Sequence, residues 1–312
     1  MLALVNGAIS QIEYPKRPGA LYSPISFTLE SGGKRVRPLL VLMTCEALGG
    51  KAEDALNQAV GLEMFHNFTL IHDDVMDRSL KRRNRPTVYH KWGEVQAILS
   101  GDTLLTMATQ RVMQAPDDKL RDVLDVFNRT AIEIYEGQQF DTTYEARKNV
   151  SVKKYLNMIM LKTSVLLGAA CELGAVMAGA SDERRSAMYE YGVNLGLAFQ
   201  LRDDWLDNFG DVVTFGKNIG NDILTRKKTW FYITALARKP EDMERAYAIK
   251  NNSRLIPTVK AIYSDLGLDR ECNVLIDRYC SAAINSLEKA KLSKEDYTRF
   301  STLALRLSQR QK

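Results

Sequence analysis

Residues 181–207 read SDERRSAMYEYGVNLGLAFQLRDDWLD and lie in an interval, 117–239, that contains none of the chain's eight prolines. The interval is rich in Leu, Ala, Glu, Lys and Met, and its apolar residues recur at three- and four-residue spacing, the pattern of buried helix faces. Ser181 before Asp182 and Glu183 is a typical helix start, with a capping side chain and acids at the positive end of the helix dipole. Alternating strand patterns are missing, so the sequence predicts an all-α fold of about ten or more helices.

Turn signals divide the chain into helical segments that are joined by short connections, and no low-complexity linker is present. They fall at residues 31–33, 49–50, 84–86, 115–116, 180–181, 210–220, 239–240 and 251–252. Because the candidate motifs run from residue 32 to residue 230, we predict a single domain over residues 1–312, a helical bundle around one cavity.

Composition excludes several classes of protein. The net charge of +5 is too small to indicate nucleic-acid binding. Four cysteines without a Cys-x-x-Cys pair, together with three histidines, do not form a zinc framework and are typical of reduced thiols in a cytoplasmic protein. Residues 163–180 are apolar, but Glu172 interrupts them and a membrane span needs about 20 apolar residues. We therefore predict a buried helix there and no stable membrane insertion.

Two aspartate clusters of identical spacing lie 130 residues apart, at Asp73-Asp74-Val75-Met76-Asp77 and at residues 203–207. On a helix, Asp73 and Asp77 share a face with Cβ atoms roughly 5–6 Å apart. Carboxylates this close repel one another unless a cation lies between them, and Mg²⁺ takes carboxylates, water and substrate phosphate as ligands. One such cluster alone is equally compatible with a solvated acidic face.

In the second cluster, Asp203 and Asp207 share a helix face with Gln200, Gly196 and Gly192. Glycine inside a helix costs about 1 kcal/mol relative to alanine. We expect the two glycines to leave an open slot below the aspartates, and the alternative is close packing of two helices.

Basic residues accompany both clusters. Residues 78–85 carry five positive charges, a run that by itself is more often a solvated loop. Residues 32–38, GGKRVRP, join a flexible turn to a basic helix start, without the spacing of a P-loop. Further candidate phosphate ligands are Lys162-Thr163, Lys217 and Lys227-Lys228. Carboxylate pairs beside such cations indicate a site for a metal-bound diphosphate.

Taken together, these motifs resemble the trans-isoprenyl diphosphate synthases, or polyprenyl synthetases, over nearly the whole chain. The resemblance rests on residues 32–38, His66, residues 72–77, Arg82-Arg83, Gly101-Asp102, Gly137-Gln138, Asp141, Lys162-Thr163, residues 199–207, Gly216-Lys217, Asp222 and Lys227. Each piece is short, but their combination in the family's order and spacing is highly specific.

The resemblance implies a Mg²⁺-dependent prenyltransferase with a deep cavity and both aspartate motifs facing each other at its mouth. It would condense isopentenyl diphosphate with a dimethylallyl, geranyl or farnesyl diphosphate. Three Mg²⁺ ions would be held chiefly by Asp73, Asp77 and Asp203, assisted by Asp74, Asp204 and Asp207. The ions would hold the allylic diphosphate together with Arg82, Lys162, Lys217 and Lys227. Isopentenyl diphosphate would be bound by Lys34, Arg37, His66 and Arg83.

The chemistry implied is ionisation of an allylic C–O bond, followed by attack of the second substrate's double bond. Cations on the leaving diphosphate stabilise the charge that develops there, and a dry pocket protects the carbocation. In the family, the oxygens of Thr163, Gln200 and the Lys162 carbonyl are expected to stabilise that cation. The resemblance therefore makes Asp73, Asp74, Asp77, Lys162, Thr163, Gln200 and Asp203 the candidate catalytic residues.

Bulk just before the first motif limits product length in this family. Phe65 and Phe68, with Thr69, resemble the pattern of short-chain enzymes that make C15 or C20 products. Packing in an aromatic core is the alternative for either Phe alone. The family usually has glycine after the paired arginines, where this chain has Asn84. Because Asn tolerates left-handed backbone, the loop can survive unchanged.

Two other functions remain open from the sequence. A class I terpene cyclase also ionises allylic diphosphates, but it has no need for Lys34, Arg37 and His66. A non-catalytic subunit of a heteromeric synthase is a second alternative, although all six motif aspartates are present. The resemblance also implies a homodimer.

Overall fold

The structure is a computed structural model that describes residues 1–210 and 220–309, and helices make up most of this part of the chain. The predicted all-α class is confirmed. In chain order the helices are α1 (Leu2–Ser10), α2 (Gly19–Leu29), α3 (Val36–Ala47), a 3-10 turn (Ala52–Ala55), α4 (Leu56–Met76), α5 (Val88–Trp92), α6 (Glu94–Val112), α7 (Asp117–Glu145), α8 (Val152–Ile159), a π-helical turn (Met160–Ser164), α9 (Val165–Met177), α10 (Asp182–Phe209), α11 (Asn221–Leu224), α12 (Trp230–Arg238), α13 (Pro240–Tyr247), α14 (Asn252–Asp265), α15 (Leu268–Ala290) and α16 (Lys294–Ser308). Two short strands, β1 (Lys81–Arg82) and β2 (Arg85–Pro86), pair antiparallel.

The described residues divide into two compact units. The first unit consists of Met1–Asn128 and Ala170–Arg185, and the second of Arg129–Ala169 with Ser186–Lys312, as far as the latter is described. Each unit thus takes two segments of the chain. The single domain over residues 1–312 stays a prediction.

In the first unit, α4 packs closely against α6. A Cβ atom on Gly61 would lie 2.6 Å from Cγ1 of Val112 and 3.0 Å from the carbonyl oxygen of Ala108. Only glycine therefore lets the two helices approach this far. At the other end of the contact, a Cβ on Gly101 would lie 2.3 Å from the ring of His72. These two close contacts, one in each half of α4, hold the helix against α6. The C-terminal end of α4 carries the first aspartate motif.

In the second unit, the core forms around α10 and includes the buried side chains of Tyr155, Leu201, Phe231 and Tyr263. The expectation of an open slot at Gly192 and Gly196 is wrong. A Cβ on Gly192 would lie 2.3 Å from the carbonyl oxygen of Leu167, and one on Gly196 would lie 2.5 Å from Cα of Ser164. The space beside both glycines is filled by backbone, so they serve close helix packing, the alternative that the sequence left open.

One helical stretch, Val152–Met177, is long and apolar enough to cross a membrane by length and composition. Of its most apolar 18-residue window, 78% is buried inside the protein. A core helix passes the same test, and this burial is what the sequence predicted for residues 163–180.

Candidate active site

The first aspartate motif lies at the C-terminal end of α4. Asp73 and Asp74 occupy its last turn, and the Asp77 amide, just after the helix, donates to the Asp73 carbonyl at 2.9 Å. Asp73 and Asp77 are therefore one turn apart, as predicted. Carboxylates at this negative end of the helix dipole are destabilising by roughly 0.3–1 kcal/mol each. The motif thus depends on a nearby cation.

Arg82 supplies that cation in the structure. Its Nε donates to Oδ1 of Asp74 and its Nη2 to Oδ2 of Asp73, both at 2.9 Å. Burial raises the pKa of the Asp74 carboxyl to about 6, although the charge of Arg82 opposes the rise. Arg82 thus forms ion pairs with the first motif in this structure, while its predicted role as a ligand of the allylic diphosphate stays a prediction.

The β1–β2 hairpin presents Arg82 and Arg83 in different directions. Arg83 and Asn84 form its turn with φ of 52° and 61°, the left-handed values of a type I′ turn. Asn84 thus adopts the left-handed backbone that the sequence analysis allowed for it, while the unchanged loop stays a prediction. Arg83 Nη1 donates to the Gly32 carbonyl at 2.6 Å, and a Cβ on Gly33 would lie 2.8 Å from the same nitrogen. The φ of 142° favours glycine at position 33, and a side chain there would displace the guanidinium of Arg83.

Apart from the acidic motif, a basic cluster forms between the start of α3 and the middle of α4. The Nη1 of Arg37 lies 3.2 Å from Nε2 of His66. Burial lowers the pKa of Arg37 to about 10, and the charge of Arg83 lowers it further, while Glu63 opposes. Lys34 is exposed at the edge of the same turn. The structure therefore brings together Arg37, His66 and Arg83, three of the four predicted isopentenyl diphosphate ligands.

A buried ion pair supports this cluster, and sequence reasoning missed it. Arg35 Nη1 contacts Glu63 Oε1 at 2.6 Å, with side chains only 3% and 4% exposed, and Arg35 Nη2 donates to the Leu29 carbonyl. Glu63 is the only acidic residue between Leu56 and His72. A single acid inside an otherwise uncharged helical run was the available signal, because buried carboxylates are almost always paired.

The second aspartate motif lies in the last two turns of α10. Asp204 is buried and accepts from the hydroxyl of Tyr155 and from Nε2 of Gln200, the latter at 3.0 Å. Thr163 Oγ1 in turn donates to Oε1 of Gln200 at 3.2 Å. Burial raises the pKa of Asp204, although both donors oppose the rise. The predicted Thr163, Gln200 and Asp204 therefore form one hydrogen-bonded chain, to which Tyr155 is an addition.

Asp207 accepts the backbone N–H of Asp222 at 3.0 Å. Burial raises the pKa of the Asp222 carboxyl to about 7, and the charge of Asp204 adds to this, while Lys227 opposes. Arg202 Nη1 donates to Asn273 at 3.0 Å, and its guanidinium lies 4.3 Å from the ring centre of Trp205, within the motif. The charge of Lys227 acts on Asp204, Asp207 and Asp222, and that of Lys260 acts on Asp207 as well.

The π-helical turn at Met160–Ser164 carries Lys162 and Thr163. A Cβ on Gly137 would lie 2.3 Å from the Lys162 amide nitrogen, so glycine lets α7 approach this turn. Lys162 Nζ donates to Asp141 at 2.6 Å. Burial would raise the pKa of Asp141, but Lys227 and Lys162 together hold it below its usual value. A small cavity lies among these groups, and its wall includes Asp141, Tyr155, Lys162, Thr163, Gln200, Asp204 and Lys227. Lys217, also predicted as a phosphate ligand, lies outside the described residues.

The candidate chain-length residues pack in an aromatic cluster. The rings of Phe65 and Phe127 are 5.3 Å apart, and those of Phe68 and His72 are 4.7 Å apart. Both Phe side chains are buried, and Thr69 Oγ1 donates to the His66 carbonyl at 2.8 Å. Core packing is therefore a present role of Phe65 and Phe68, while a role in product length stays a prediction.

The donors of both motifs fit a hard divalent cation, because Asp73, Asp74, Asp77, Asp203, Asp204 and Asp207 offer only carboxylate oxygens. In the arrangement described for residues 1–210 and 220–309, no three such side chains are already spaced around a metal ion. Arg82 instead forms ion pairs with Asp73 and Asp74 of the first motif. A divalent cation would replace one positive charge with another at the same carboxylates. That the two motifs act on one diphosphate stays a prediction.

Comparisons with known proteins agree with these local features. The sequence model of the polyprenyl synthetase family matches residues 18–266. A geranylgeranyl diphosphate synthase of Methanosarcina mazei is 42% identical over 236 residues, 75% of this chain and 73% of that protein. A geranylfarnesyl diphosphate synthase of Natronomonas pharaonis is 36% identical over 244 residues, 72% of each protein. A crystal structure of a geranylgeranyl pyrophosphate synthase superposes with a TM-score of 0.93 at 38% identity, covering 100% of this chain and 97% of the other.

Proposed function

The chain belongs to the polyprenyl synthetase family and is a trans-prenyltransferase, and from this premise we propose a specific reaction for it. It condenses isopentenyl diphosphate with dimethylallyl, geranyl or farnesyl diphosphate, depends on Mg²⁺, and makes a C15 or C20 product. Diphosphate is released.

The observation that carries the proposal is the opposite use of two adjacent arginines. Arg82 binds the carboxylates of Asp73 and Asp74, whereas Arg83 reaches the Gly32 carbonyl beside the Arg37–His66 pair. One hairpin thus contacts both an acidic cluster and a separate basic cluster. A synthase needs a site for each of two diphosphates, but a terpene cyclase needs only one. The basic cluster therefore favours the synthase over the cyclase.

In the two acidic motifs, the metal would be held chiefly by Asp73, Asp77 and Asp203, with Asp74, Asp204 and Asp207 assisting. Bound Mg²⁺ would neutralise the diphosphate and stabilise the charge that develops as it leaves. Arg82, Lys162 and Lys227 would bind the diphosphate oxygens, with the predicted help of Lys217. Arg37, His66, Arg83 and Lys34 would hold isopentenyl diphosphate as the nucleophile. All six motif aspartates are present, which weighs against a non-catalytic subunit.

Two oxygen atoms are available to stabilise the allylic cation. Thr163 Oγ1 donates a hydrogen bond to Gln200 Oε1, so both lone pairs of the threonine oxygen and one lone pair of the glutamine oxygen remain. Oxygen dipoles at fixed positions stabilise developing positive charge without reorganising during the reaction. The proton lost in the last step passes to the departing diphosphate, which requires no further base from the protein.

Product length is the finer part of the proposal. The rings of Phe65 and Phe68, eight and five residues before Asp73, lie 5.6 Å apart, which supports a short product. The named relatives differ in the product that their names state, geranylgeranyl diphosphate in one and geranylfarnesyl diphosphate in another. The product length of this chain therefore cannot be taken from the relatives' names, and we infer it from the chain's own residues.

The protein is further proposed to act in the cytoplasm as a homodimer. Four buried, free cysteines support a reducing compartment. Val95, Ile98 and Leu99 are exposed along α6, and an apolar helix face of this kind supports contact with a second copy. Sedimentation of the purified chain tests the dimer, and a monomer at micromolar concentration would contradict it.

The central experiment incubates the purified chain with radiolabelled isopentenyl diphosphate, one allylic primer and Mg²⁺. We expect elongation with at least one of the three primers, loss of activity with a chelator and recovery on adding Mg²⁺. Mass spectrometry of the product gives its length. Cyclic hydrocarbons from a single substrate would support a cyclase instead, and inactivity of the chain alone with every primer would support the non-catalytic subunit.

A further inference from the structure

We propose that Tyr155 is a positioning residue that fixes the orientation of the Gln200 amide by holding Asp204. The inference rests on the proposed function, because it concerns the oxygen that Gln200 offers to the allylic cation. Tyr155 lies in α8, 49 residues from Asp204 in sequence, and no motif of the sequence pointed to it.

The three groups form a continuous chain of hydrogen bonds. The Tyr155 hydroxyl donates to Oδ2 of Asp204, and Nε2 of Gln200 donates to Oδ1 of the same carboxylate at 3.0 Å. Oε1 of Gln200 accepts from Thr163 at 3.2 Å. Tyr155 is 1% exposed and Asp204 is 5% exposed, so water does not compete for the hydrogen bond between these two side chains.

The direction of each bond determines which end of Gln200 meets the substrate region. As arranged, both oxygens of Asp204 accept, so Gln200 must turn its NH₂ group toward Asp204. Its carbonyl oxygen must then point the other way, to Thr163. If the amide were reversed, two N–H donors would replace the oxygen dipole, and they would repel a carbocation. A primary amide has nearly the same shape in both orientations, so only its hydrogen-bond partners select one.

Tyr155 is needed because Asp204 alone is a poor anchor. A carboxylate buried beside other acidic groups is costly unless its oxygens are hydrogen-bonded. Tyr155 occupies Oδ2 and thereby leaves Oδ1 to Gln200. Its own position is fixed, because its ring packs in the same buried cluster as Leu201 and Cys272. The carboxylate is therefore held in one rotamer by a residue that makes no predicted contact with substrate.

The test removes one oxygen atom, with Tyr155→Phe, and compares it with Tyr191→Phe. Tyr191 is a matched control, because it is also fully buried in the second unit and its hydroxyl also donates a hydrogen bond, to the Phe300 carbonyl at 2.9 Å. We expect Tyr155→Phe to lower kcat about tenfold or more, with the KM of both substrates changed by less than about threefold. Tyr191→Phe should change neither constant, although both variants lower the Tm.

A double-mutant cycle separates positioning from general destabilisation. If Tyr155 acts through Gln200, then Tyr155→Phe has little further effect on kcat in a Gln200→Ala background, whereas independent effects would multiply. Full multiplication, or a kcat equal to that of Tyr191→Phe, overturns the inference. An enzyme that is inactive as wild type overturns the proposed function instead.

A measurement without turnover tests the geometry directly. In protein labelled with ¹⁵N-glutamine, the Gln200 side-chain signal is identified by its loss in Gln200→Ala. We expect this signal to shift in Tyr155→Phe and in Asp204→Asn, and to stay in place in Tyr191→Phe. An unchanged signal in Tyr155→Phe would show that the amide does not depend on Tyr155.

Discussion

Arg37 donates a hydrogen bond to His66 across 3.2 Å. A guanidinium has no acceptor, so Nε2 of His66 must accept and the ring proton lies on Nδ1. Burial lowers the pKa of His66 well below its usual value, and the charges of Arg37 and Arg83 lower it further. The imidazole is therefore neutral at neutral pH, and Arg37 keeps a fixed partner.

This arrangement predicts a loss of stability in mild acid. Below about pH 6.5 the unfolded chain protonates His66, while the folded protein does not, so the unfolded state binds more protons. The free energy of unfolding then falls with falling pH, by about 1.4 kcal/mol per pH unit at most. Thermal unfolding between pH 5 and 7.5 should show a shallower dependence for His66→Gln than for wild type. His90→Gln, which removes an exposed histidine, should keep the wild-type slope, and three equal slopes would contradict the prediction.

The second prediction concerns the stability that Arg82 provides, because its guanidinium forms ion pairs with both Asp73 and Asp74. Arg82→Gln leaves Asp74 buried with less compensation, so we expect a loss of about 1–2 kcal/mol of stability in metal-free buffer. Mg²⁺ should then raise the Tm of the variant more than that of wild type, because the cation replaces the missing charge. Calorimetry with and without Mg²⁺ measures this. Lys81→Gln, at an exposed neighbouring position, is the control and should respond to Mg²⁺ like wild type.

Helix boundaries and motif geometry were predictable from local signals. Pro116 precedes α7, Ser181 precedes α10 and Lys239 separates α12 from α13, each at a break that the sequence predicted. The one-turn spacing of Asp73 and Asp77 follows from helix geometry alone. These features depend on residues that are close in sequence, and propensity and periodicity report such features well.

Contacts between distant residues were not predictable in the same way. Arg35 pairs with Glu63 across 28 residues, and Tyr155 bonds to Asp204 across 49. The periodic pattern gives the face of a helix, but it does not say which neighbour that face meets or how closely. The same limit made Gly192 and Gly196 ambiguous, because glycine suits an open slot and a close helix contact equally.

The corrected role of Gly192 has a direct consequence. Gly192→Ala would place a methyl group 2.3 Å from the Leu167 carbonyl oxygen, so overpacking should cost about 1–3 kcal/mol despite alanine's better helix propensity. Gly7→Ala is the matched control, because Gly7 lies inside α1 with no atom within 4 Å of the added methyl. We expect that substitution to be neutral or to stabilise by up to about 1 kcal/mol. Thermal unfolding compares the Tm values of the two variants. A Tm of Gly192→Ala equal to that of wild type would mean that the space beside Gly192 is open, as the sequence first suggested.

Product length depends on which aromatic side chain limits the growing chain. Phe65→Ala removes a buried ring that packs against Phe127, so it should lower stability by about 3–5 kcal/mol. Phe68 is nearer to Asp73 in sequence and packs against His72 at the motif end of α4. We expect Phe68→Ala to lengthen the product by at least one isoprene unit and to remain the more stable of the two variants.

Mass spectrometry of products from wild type, Phe65→Ala and Phe68→Ala decides between the two rings. Longer products from Phe65→Ala alone would transfer the limiting role to that residue. Unchanged products from both variants would mean that Phe65 and Phe68 serve core packing only. The next residue to substitute would then be Thr69, whose hydroxyl donates to the His66 carbonyl. Because each variant is compared at the same extent of reaction, slower turnover by a destabilised variant does not change the length distribution that is measured.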